Sequence, residues 1–198
     1  MIDYKKYWTN DNLQNIVAGN DTENPEGWNP IDVLKELLKN IHFETILDFG
    51  CGYGRLCKTF QPNKYIGIDL NLQAIQEARK RYPEYFFKEI EVDSEYDNAD
   101  IVIAYTVFLH LDDDTLGSIL TRLRKACKKH LIVGEILGRE WRRPGNPPVF
   151  NRNIDDYMNL LQRYGFHIIN EYKLPYKRYA DSPYFKDKNT NLSFIICI

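Results

Sequence analysis

The sequence has 198 residues, 43% of them hydrophobic and 14% aromatic, which is enough for one domain with a substantial buried core. Lysine and arginine total 26 against 28 aspartates and glutamates, so the overall charge argues against a nucleic-acid partner. The four cysteines form no C-x-x-C pair, so we expect neither a zinc knuckle nor a disulfide framework. No apolar run reaches the length of a signal peptide or a membrane span, so we expect a cytoplasmic protein without a membrane partner.

Apolar segments of strand length alternate along the chain with segments of helical periodicity. The first helix is predicted at residues 31–41, with Asn29 as its cap and Pro30 in its first turn. A later helix begins after Asn71 and places Leu72, Ile75 and Ala78 on one face. Strands are predicted at 45–49, 65–70, 85–92, 101–105 and 131–136, and helices between them at 55–60, 72–81 and 114–128. This alternation predicts βαβ units and a parallel sheet.

The end of the chain has a different pattern. A helix at 154–164 stops at Gly165, and strands follow at 166–174 and 192–198. Their polar, tyrosine-rich connection contains no crossover helix, so we expect them to form an antiparallel hairpin. The predicted fold is therefore α/β, with a doubly wound, mostly parallel seven-stranded sheet that ends in a C-terminal antiparallel hairpin. We expect a single domain over 1–198, with a cap or lid at 1–44, a cofactor-binding core at 45–136 and an acceptor side at 137–198.

Three glycines follow the first strand in the segment TILDFGCGYGRL, residues 45–56. Ligands of a doubly wound sheet bind where the first strand meets its helix, and main chain without side chains lets a ligand approach closely. The dinucleotide pattern G-x-G-x-x-G would need a third glycine where Arg55 or Cys57 stands. Asp48, just before the glycines, would also repel a pyrophosphate. The corner therefore favours a ligand that carries positive charge; a tight turn without a ligand is the alternative.

Asp69 ends the second predicted strand, in the segment IGIDLN. A carboxylate at this place can accept hydrogen bonds from both hydroxyls of a ribose. A ribose at Asp69 together with a cationic group near Asp48 describes S-adenosylmethionine, which has an ammonium and a sulfonium group and no phosphate.

The segments ILDFGCGYGRL, IGIDLN, ADIVIAYTVFLHL and LIVGEI occur in this order, and the chain resembles the class I, Rossmann-like S-adenosylmethionine-dependent methyltransferases. The resemblance covers 45–136 by motif and implies that the glycine corner surrounds the methionine part of the cofactor. It implies that Asp69 holds the ribose and that Leu70 lies against the adenine. The acidic residue near the adenine would be Asp93, with Glu91 or Glu89 as alternatives. Thr106 and Val107 would border the cofactor from the fourth strand. The residues expected around the methionine part are Asp48, Gly50, Cys51, Gly52, Gly54 and Arg55.

Methyl transfer mainly requires an aligned acceptor and the exclusion of water, so catalytic residues are poorly marked in the sequence. His110, in TVFLHLDDDTL, is the candidate general base because the ordinary pKa of histidine lies near neutrality. The alternative is a histidine that packs beside the methionine part or caps the next helix. The aspartates at 112–114 are interpreted as a helix N-terminus and not as a Mg²⁺ site, so no metal is expected.

The segment GREWRRPGNPPVFNRN, residues 138–153, leaves the fifth strand at the edge where an acceptor would lie. Arginine binds phosphate or carboxylate in bidentate geometry, and an aromatic ring can stack on a base or sugar. This pattern suggests an anionic small-molecule acceptor such as a phosphorylated or nucleotide-linked sugar; a solvated basic loop paired with the protein's own acids is the alternative. The predicted acceptor-side residues are Glu135, Arg139, Trp141, Arg142, Arg143 and Arg152, with Glu135 either orienting the acceptor or bracing an arginine.

The N-terminal segment contains Tyr4, Tyr7, Trp8 and Trp28, and members of the family often cover the cofactor with such a segment. We therefore expect a lid, with ordinary docking of a terminal helix as the alternative. The leading hypothesis is O-methylation of a small molecule. The alternatives are an N-methyltransferase acting on a small molecule or a protein, and a module that binds S-adenosylmethionine without catalysis.

Overall fold

The computed structural model describes Trp8 and residues 29–138, 149–175 and 191–198. Within these residues seven strands form one sheet. The strands are β1 (Ile46–Phe49), β2 (Tyr65–Asp69), β3 (Phe86–Glu89), β4 (Ala99–Tyr105), β5 (Cys127–Leu137), β6 (Ile168–Pro175) and β7 (Asn191–Cys197). The α-helices are α1 (Pro30–Leu38), α2 (Leu72–Arg81), α3 (Asp113–Ala126) and α4 (Ile154–Arg163).

The order of the strands in the sheet is β3-β2-β1-β4-β5-β7-β6. The four pairs from β3 to β5 are parallel, whereas β7 is antiparallel to both β5 and β6. This topology confirms the predicted parallel sheet that ends in an antiparallel hairpin. The strand order reverses at β1, between β2 and β4, and this is the position at which doubly wound sheets bind their ligands.

Side-chain caps begin the helices at the predicted places. The side-chain oxygen of Asn29 accepts from the N–H of Ile31 at 2.8 Å, and Pro30 occupies the first turn of α1. Asn71 caps α2 by accepting from the N–H of Ala74 at 2.8 Å. Asp112 caps α3, and the next two aspartates lie in its first turn, where negative charge is favourable. The interpretation of 112–114 as a helix N-terminus is therefore confirmed.

Two local predictions are wrong. Residues 55–60 do not form an α-helix; a short 3-10 helix spans Cys57–Thr59. Its cause is the preceding turn, in which Gly52 and Gly54 have positive φ and the N–H of Cys57 bonds back only three residues, to Gly54. Leu72 does not lie on the buried face of α2 but is 41% exposed, because it stands at the first position of the helix and the buried residues are Ala74, Ile75 and Ala78.

Hydrophobic residues cover both faces of the sheet. One face packs against α3 and α4 through residues such as Phe108, Leu120 and Leu161. The other face packs against α1 and α2 through residues such as Leu34 and Ile75. A sheet covered on both faces is the usual environment of buried parallel strands. Among the described residues, no helix is long and apolar enough to cross a bilayer.

Candidate cofactor site

The glycine corner follows β1 directly. Gly50, Gly52 and Gly54 all have positive φ, at 73°, 52° and 79°, a conformation that side chains disfavour. The N–H groups of Gly50 and Cys51 both donate to the carbonyl of Ile68, at 2.8 and 3.0 Å, which ties the corner to the end of β2. The alternating glycines are therefore required by the backbone path as well as by the approach of a ligand.

The first glycine also faces a close neighbour. A Cβ atom at Gly50 would lie 2.5 Å from Cγ2 of Val107, and no real side chain tolerates that separation. Val107 belongs to the chain that follows β4, so the two strand ends on either side of the switch point are in direct contact. Two of the predicted cofactor residues, Gly50 and Val107, thus come together in the structure.

Asp69 lies at the end of β2 and holds the glycine corner in place. Its Oδ2 accepts from the N–H of Gly52 at 2.8 Å, and its Oδ1 accepts from the N–H of Asn71 at 2.9 Å. Burial raises the pKa of the Asp69 carboxyl above its usual value, against the lowering effect of these N–H groups. A carboxylate has about four lone-pair sites, so Asp69 keeps capacity for a further donor such as a ribose hydroxyl.

Asp48 is 2% exposed and lies beneath the corner. The Tyr65 hydroxyl donates to its Oδ2 at 2.5 Å. Burial raises the pKa of Asp48 to about 6, although this hydrogen bond and the charge of Arg55 both lower it. Tyr65 was not among the predicted site residues. The signal that was available is the alternation of the strand, because Tyr65 lies two residues before Gly67, the register partner of Asp48 on β2.

Cys51 was predicted to contact the cofactor, but its side chain is 5% exposed and points under the corner. A Cβ atom at Gly67 would lie 2.9 Å from the Cys51 sulfur. Burial raises the pKa of the Cys51 thiol well above its usual value, so the thiol is not a reactive nucleophile. Only the main chain of Cys51 is therefore placed to contact the cofactor.

Arg55 joins the glycine corner to the end of β4. Its guanidinium donates to the Thr106 hydroxyl at 3.0 Å and to the Tyr105 carbonyl at 3.3 Å, and it lies 4.2 Å from the centre of the Tyr105 ring. Tyr105 in turn stacks on Phe194, with ring centres 5.7 Å apart. A planar guanidinium fixed over an aromatic ring is well suited to present positive charge near the carboxylate of an amino acid.

The chain after β4 has a strained start. Thr106 has a φ of 56°, and it is the non-glycine residue with positive φ among those the structure describes. A β-branched residue in this region costs about 1–3 kcal/mol and persists only where neighbours fix it. The Thr106 N–H donates to the carbonyl of Gly134 at 2.8 Å. We call residues 106–111 the β4 loop; it includes the 3-10 helix Phe108–His110.

Glu135 and Arg152 were both predicted on the acceptor side, and the structure places them beneath the β4 loop. Glu135 is fully buried, and its Oε1 accepts from the N–H groups of Val107 at 2.9 Å and Phe108 at 2.7 Å. Arg152 is 5% exposed and donates to the carbonyls of Phe108 and Leu111 at 3.0 and 2.7 Å. Neither prediction allowed for this burial, which follows because β5 places Glu135 on the face covered by α3 and α4.

His110 is half-buried at the end of the short helix in the β4 loop. Its ring packs edge-on against the ring of Trp8, with centres 5.1 Å apart. The carbonyl of Trp8 accepts a hydrogen bond from the side chain of Asn71. Trp8 therefore connects Asn71, two residues after Asp69, with the β4 loop, across the two strand ends that flank the corner. This position agrees with a covering role for Trp8; Tyr4, Tyr7 and Trp28 lie outside the described residues.

The remaining predicted residues are placed as follows. Leu70 is half-buried after Asp69, and Glu89 is the register partner of Asp69 on β3. Asp93 and Glu91 are exposed in the turn after β3, so the choice among these acids stays a prediction. Four acceptor-side residues lie outside the described part of the chain: Arg139, Trp141, Arg142 and Arg143.

Among the described residues, no group of three or more histidine, cysteine, aspartate or glutamate side chains is arranged to hold a metal ion. A depression of about 370 Å³, lined by residues such as Lys39, Phe43 and Lys64, lies near the opposite ends of β1 and β2. Its lysines pair with acidic neighbours such as Glu36 and Glu44, so we assign it no part in cofactor binding.

These residues fit S-adenosylmethionine. The corner offers bare main chain, and Asp69 keeps capacity for a further donor. Arg55 and the buried carboxylate of Asp48 supply opposite charges for the amino-acid part and its cationic groups. The class that this fold and site define is a Rossmann-like protein that binds an adenosyl cofactor at its switch point.

Comparisons with known proteins agree with this class. Residues 47–130 match the family described as a methyltransferase domain, and no curated protein matches the sequence. The magnesium protoporphyrin IX methyltransferase of Synechocystis PCC 6803 with bound SAM is similar in structure, with a TM-score of 0.63 and 17% identity over 84% of this chain and 76% of that chain. A methyltransferase of Clostridium acetobutylicum has a TM-score of 0.65 and 12% identity over 84% and 88%. The mitomycin 7-O-methyltransferase has a TM-score of 0.63 and 16% identity over 87% and 54%.

Residues 47–130 thus match a methyltransferase domain, and the fold of the chain is similar to that of S-adenosylmethionine-dependent methyltransferases. Similar structures hold SAM or its demethylated product SAH, and the residues of this site fit the same cofactor.

Proposed function

We propose that this methyltransferase transfers the methyl group to an oxygen atom of a small, anionic acceptor. The observation that carries the proposal is the β4 loop, which brings His110 into the same short segment as Thr106 and Val107, next to the first glycine. A group that can take a proton is useful for oxygen acceptors because a hydroxyl keeps its proton at neutral pH. Two similar structures are described as methyltransferases of mitomycin at oxygen 7 and of magnesium protoporphyrin IX, which favours a small molecule.

The residues of this chain would divide the work as follows. The bound cofactor supplies a methyl group on a sulfonium sulfur. Asp69 would hold the ribose, and Arg55 would bind the carboxylate of the amino-acid part. His110 would hold the proton of the acceptor, and Trp8 would shield the site from water. His110 keeps a second role in this proposal, because its ring contact with Trp8 also fixes the covering segment.

The anionic character of the acceptor rests on the sequence. Arg139, Arg142 and Arg143 form a basic group with Trp141 in the segment that leaves β5, and such groups bind phosphate or carboxylate. Arg152 contributes less to this argument, because its guanidinium already binds two carbonyls and Asp113.

Two other functions stay open as alternatives, namely methylation of a nitrogen atom and cofactor binding without catalysis. A single experiment separates all three. Transfer of labelled methyl from S-adenosylmethionine is measured across matched acceptors that present a phenol, a sugar phosphate, a carboxylate or an amine. Methylation of hydroxyl acceptors supports the proposal, whereas methylation confined to amines, or tight cofactor binding without any transfer, contradicts it.

The acceptor-side prediction has its own test. Replacement of Arg142 and Arg143 with alanine is expected to raise the KM of the acceptor about tenfold or more and to leave the Kd of the cofactor unchanged. The matched control replaces Lys80 and Lys128, two exposed lysines, and removes the same charge elsewhere. Equal effects of the two double variants on the acceptor KM would contradict an acceptor-binding role.

A further inference from the structure

The β4 loop is held from two sides by the buried side chains of Glu135 and Arg152. On one side, the carboxyl of Glu135 accepts from the N–H groups of Val107 and Phe108. On the other, Arg152 binds the carbonyls of Phe108 and Leu111 and is itself paired with Asp113. We call Glu135 and Arg152 the loop brace. The contacts of the brace with residues 107, 108 and 111 are all to main chain, so the loop backbone is fixed whatever its side chains are.

The braced loop is in direct contact with the cofactor corner through Val107 and Gly50. Val107, whose N–H the brace holds, places its methyl groups where a Cβ atom at Gly50 would lie. Thr106, one residue earlier, has a strained φ of 56°, and such a conformation needs neighbours that fix it. A small shift of the loop backbone would therefore change the space over the first glycine.

Glu135 differs from an ordinary structural carboxylate in one respect. It is fully buried, and its Oε2 has no hydrogen-bond partner among the described residues, while Oε1 serves the loop. Buried polar atoms are nearly always paired, and a carboxyl group with a free oxygen is costly. A carboxyl group used only to fill the core would be replaced at lower cost by an apolar side chain.

We propose that Glu135 is a positioning residue for methyl transfer, which sets the distance between the β4 loop and the glycine corner through the main chain of Val107 and Phe108. The inference rests on the methyltransferase function but does not depend on the acceptor. Arg152 completes the brace from the carbonyl side. Glu135 acts through the loop and does not touch the cofactor.

The protonation of Glu135 provides a readout that a merely structural residue lacks. Burial raises the pKa of Glu135 to about 8, against the lowering effect of the loop N–H groups and of Arg152. The groups that face it are Arg152, Tyr157 and, behind them, Asp113. Burial raises the pKa of Tyr157 well above its usual value, so Tyr157 stays neutral. Ionisation of Glu135 strengthens the bonds from the two N–H groups, because charged acceptors bind more strongly.

The test compares Glu135→Ala, Glu135→Gln and the wild-type chain by the Kd of SAH and by the exchange of the Val107 and Phe108 amide protons. Glu135→Ala leaves two buried N–H groups unpaired and is expected to raise the Kd about tenfold or more and to speed both exchanges. Glu135→Gln keeps an oxygen for these N–H groups and is expected to restore the Kd to within about threefold of wild type at about pH 6.5. Glutamine does not titrate, so the Kd ratio of Glu135→Gln to wild type should increase from about pH 7 to about pH 9.

Leu161→Ala is the matched control. Leu161 is fully buried in the same core on α4, so its truncation destabilises the fold without removing a bond to the loop. We expect this control to keep the Kd of SAH within about threefold of wild type. The proposal is overturned if Glu135→Ala and Leu161→Ala raise the Kd equally, or if the ratio of Glu135→Gln to wild type does not change with pH. The assay contains no acceptor, so a failure to find methyl transfer would leave its outcome unaffected.

Discussion

The contact between Gly50 and Val107 allows a quantitative test of the cofactor corner. Gly50→Ala places a side chain at a φ of 73°, 2.5 Å from Cγ2 of Val107. The left-handed conformation costs an alanine about 1–2 kcal/mol, and forced overpacking adds about 1–3 kcal/mol. Val107 cannot easily yield, because β-branched side chains are stiff at χ1 and its N–H is held by Glu135. We therefore expect a loss of about 2–5 kcal/mol in the free energy of unfolding.

Gly165 offers a control that separates the two costs. It has a similar φ of 80°, but the nearest atom to an added Cβ is 3.6 Å away, on Arg124. Gly165→Ala should therefore lose only the conformational part, about 1–2 kcal/mol. Denaturant unfolding of both variants measures the difference. In a double-mutant cycle, Val107→Ala should recover about 1–3 kcal/mol of the Gly50→Ala loss. Equal losses for the two glycine variants, or additive effects in the cycle, would refute the contact.

Two further predictions concern the buried carboxylates. Tyr65→Phe removes the donor to Asp48. Because burial raises the pKa of Asp48 to about 6 in the folded protein, the neutral form of Asp48 stabilises the fold. This contribution is complete below pH 3.8 and is lost as the pH rises through about 6. The variant should raise that pKa further, so its loss of unfolding free energy should be about 1.5–3 kcal/mol at neutral pH and smaller near pH 4; a loss independent of pH would contradict this. Asp69→Asn should raise the Kd of SAH about tenfold or more in calorimetry, and the penalty should shrink for an analogue without ribose hydroxyls; an undiminished penalty would contradict the ribose role.

The sequence was sufficient to predict the fold because its signals are local or periodic. Asn29 and Asn71 cap helices through bonds to residues only two and three positions further along, and strand patterns repeat within a few residues. The sequence between β6 and β7 has no helical pattern, and this predicted the antiparallel hairpin. The predicted α-helix at 55–60 was wrong because the prediction used composition alone. The composition allows a helix, but Gly52 and Gly54 have positive φ and turn the chain just before it.

The roles of Glu135 and Tyr65 could not be predicted in the same way. Glu135 meets the β4 loop only because β4 and β5 pair with Tyr105 beside Gly134, and the sequence does not state that register. Arg152 approaches the loop from a segment some forty residues away, as its hydrogen bonds to Phe108 and Leu111 span 44 and 41 residues. Non-local pairing decides such contacts. The sequence therefore shows that an acidic residue at the end of a strand is unusual, but it does not show whether that residue faces a ligand or binds the backbone.

Asp48 was expected among the residues around the methionine part of the cofactor. Its carboxylate lies beneath the corner, 2% exposed and bonded to Tyr65. With a pKa of about 6, it is mostly ionised at neutral pH, and Asp69 adds a second buried carboxyl nearby. In a site of low dielectric constant such charges act over several ångströms more strongly than in water. Ionised carboxyl groups beneath the bare glycines favour a sulfonium and an ammonium group over a pyrophosphate, and Arg55 supplies the opposite charge.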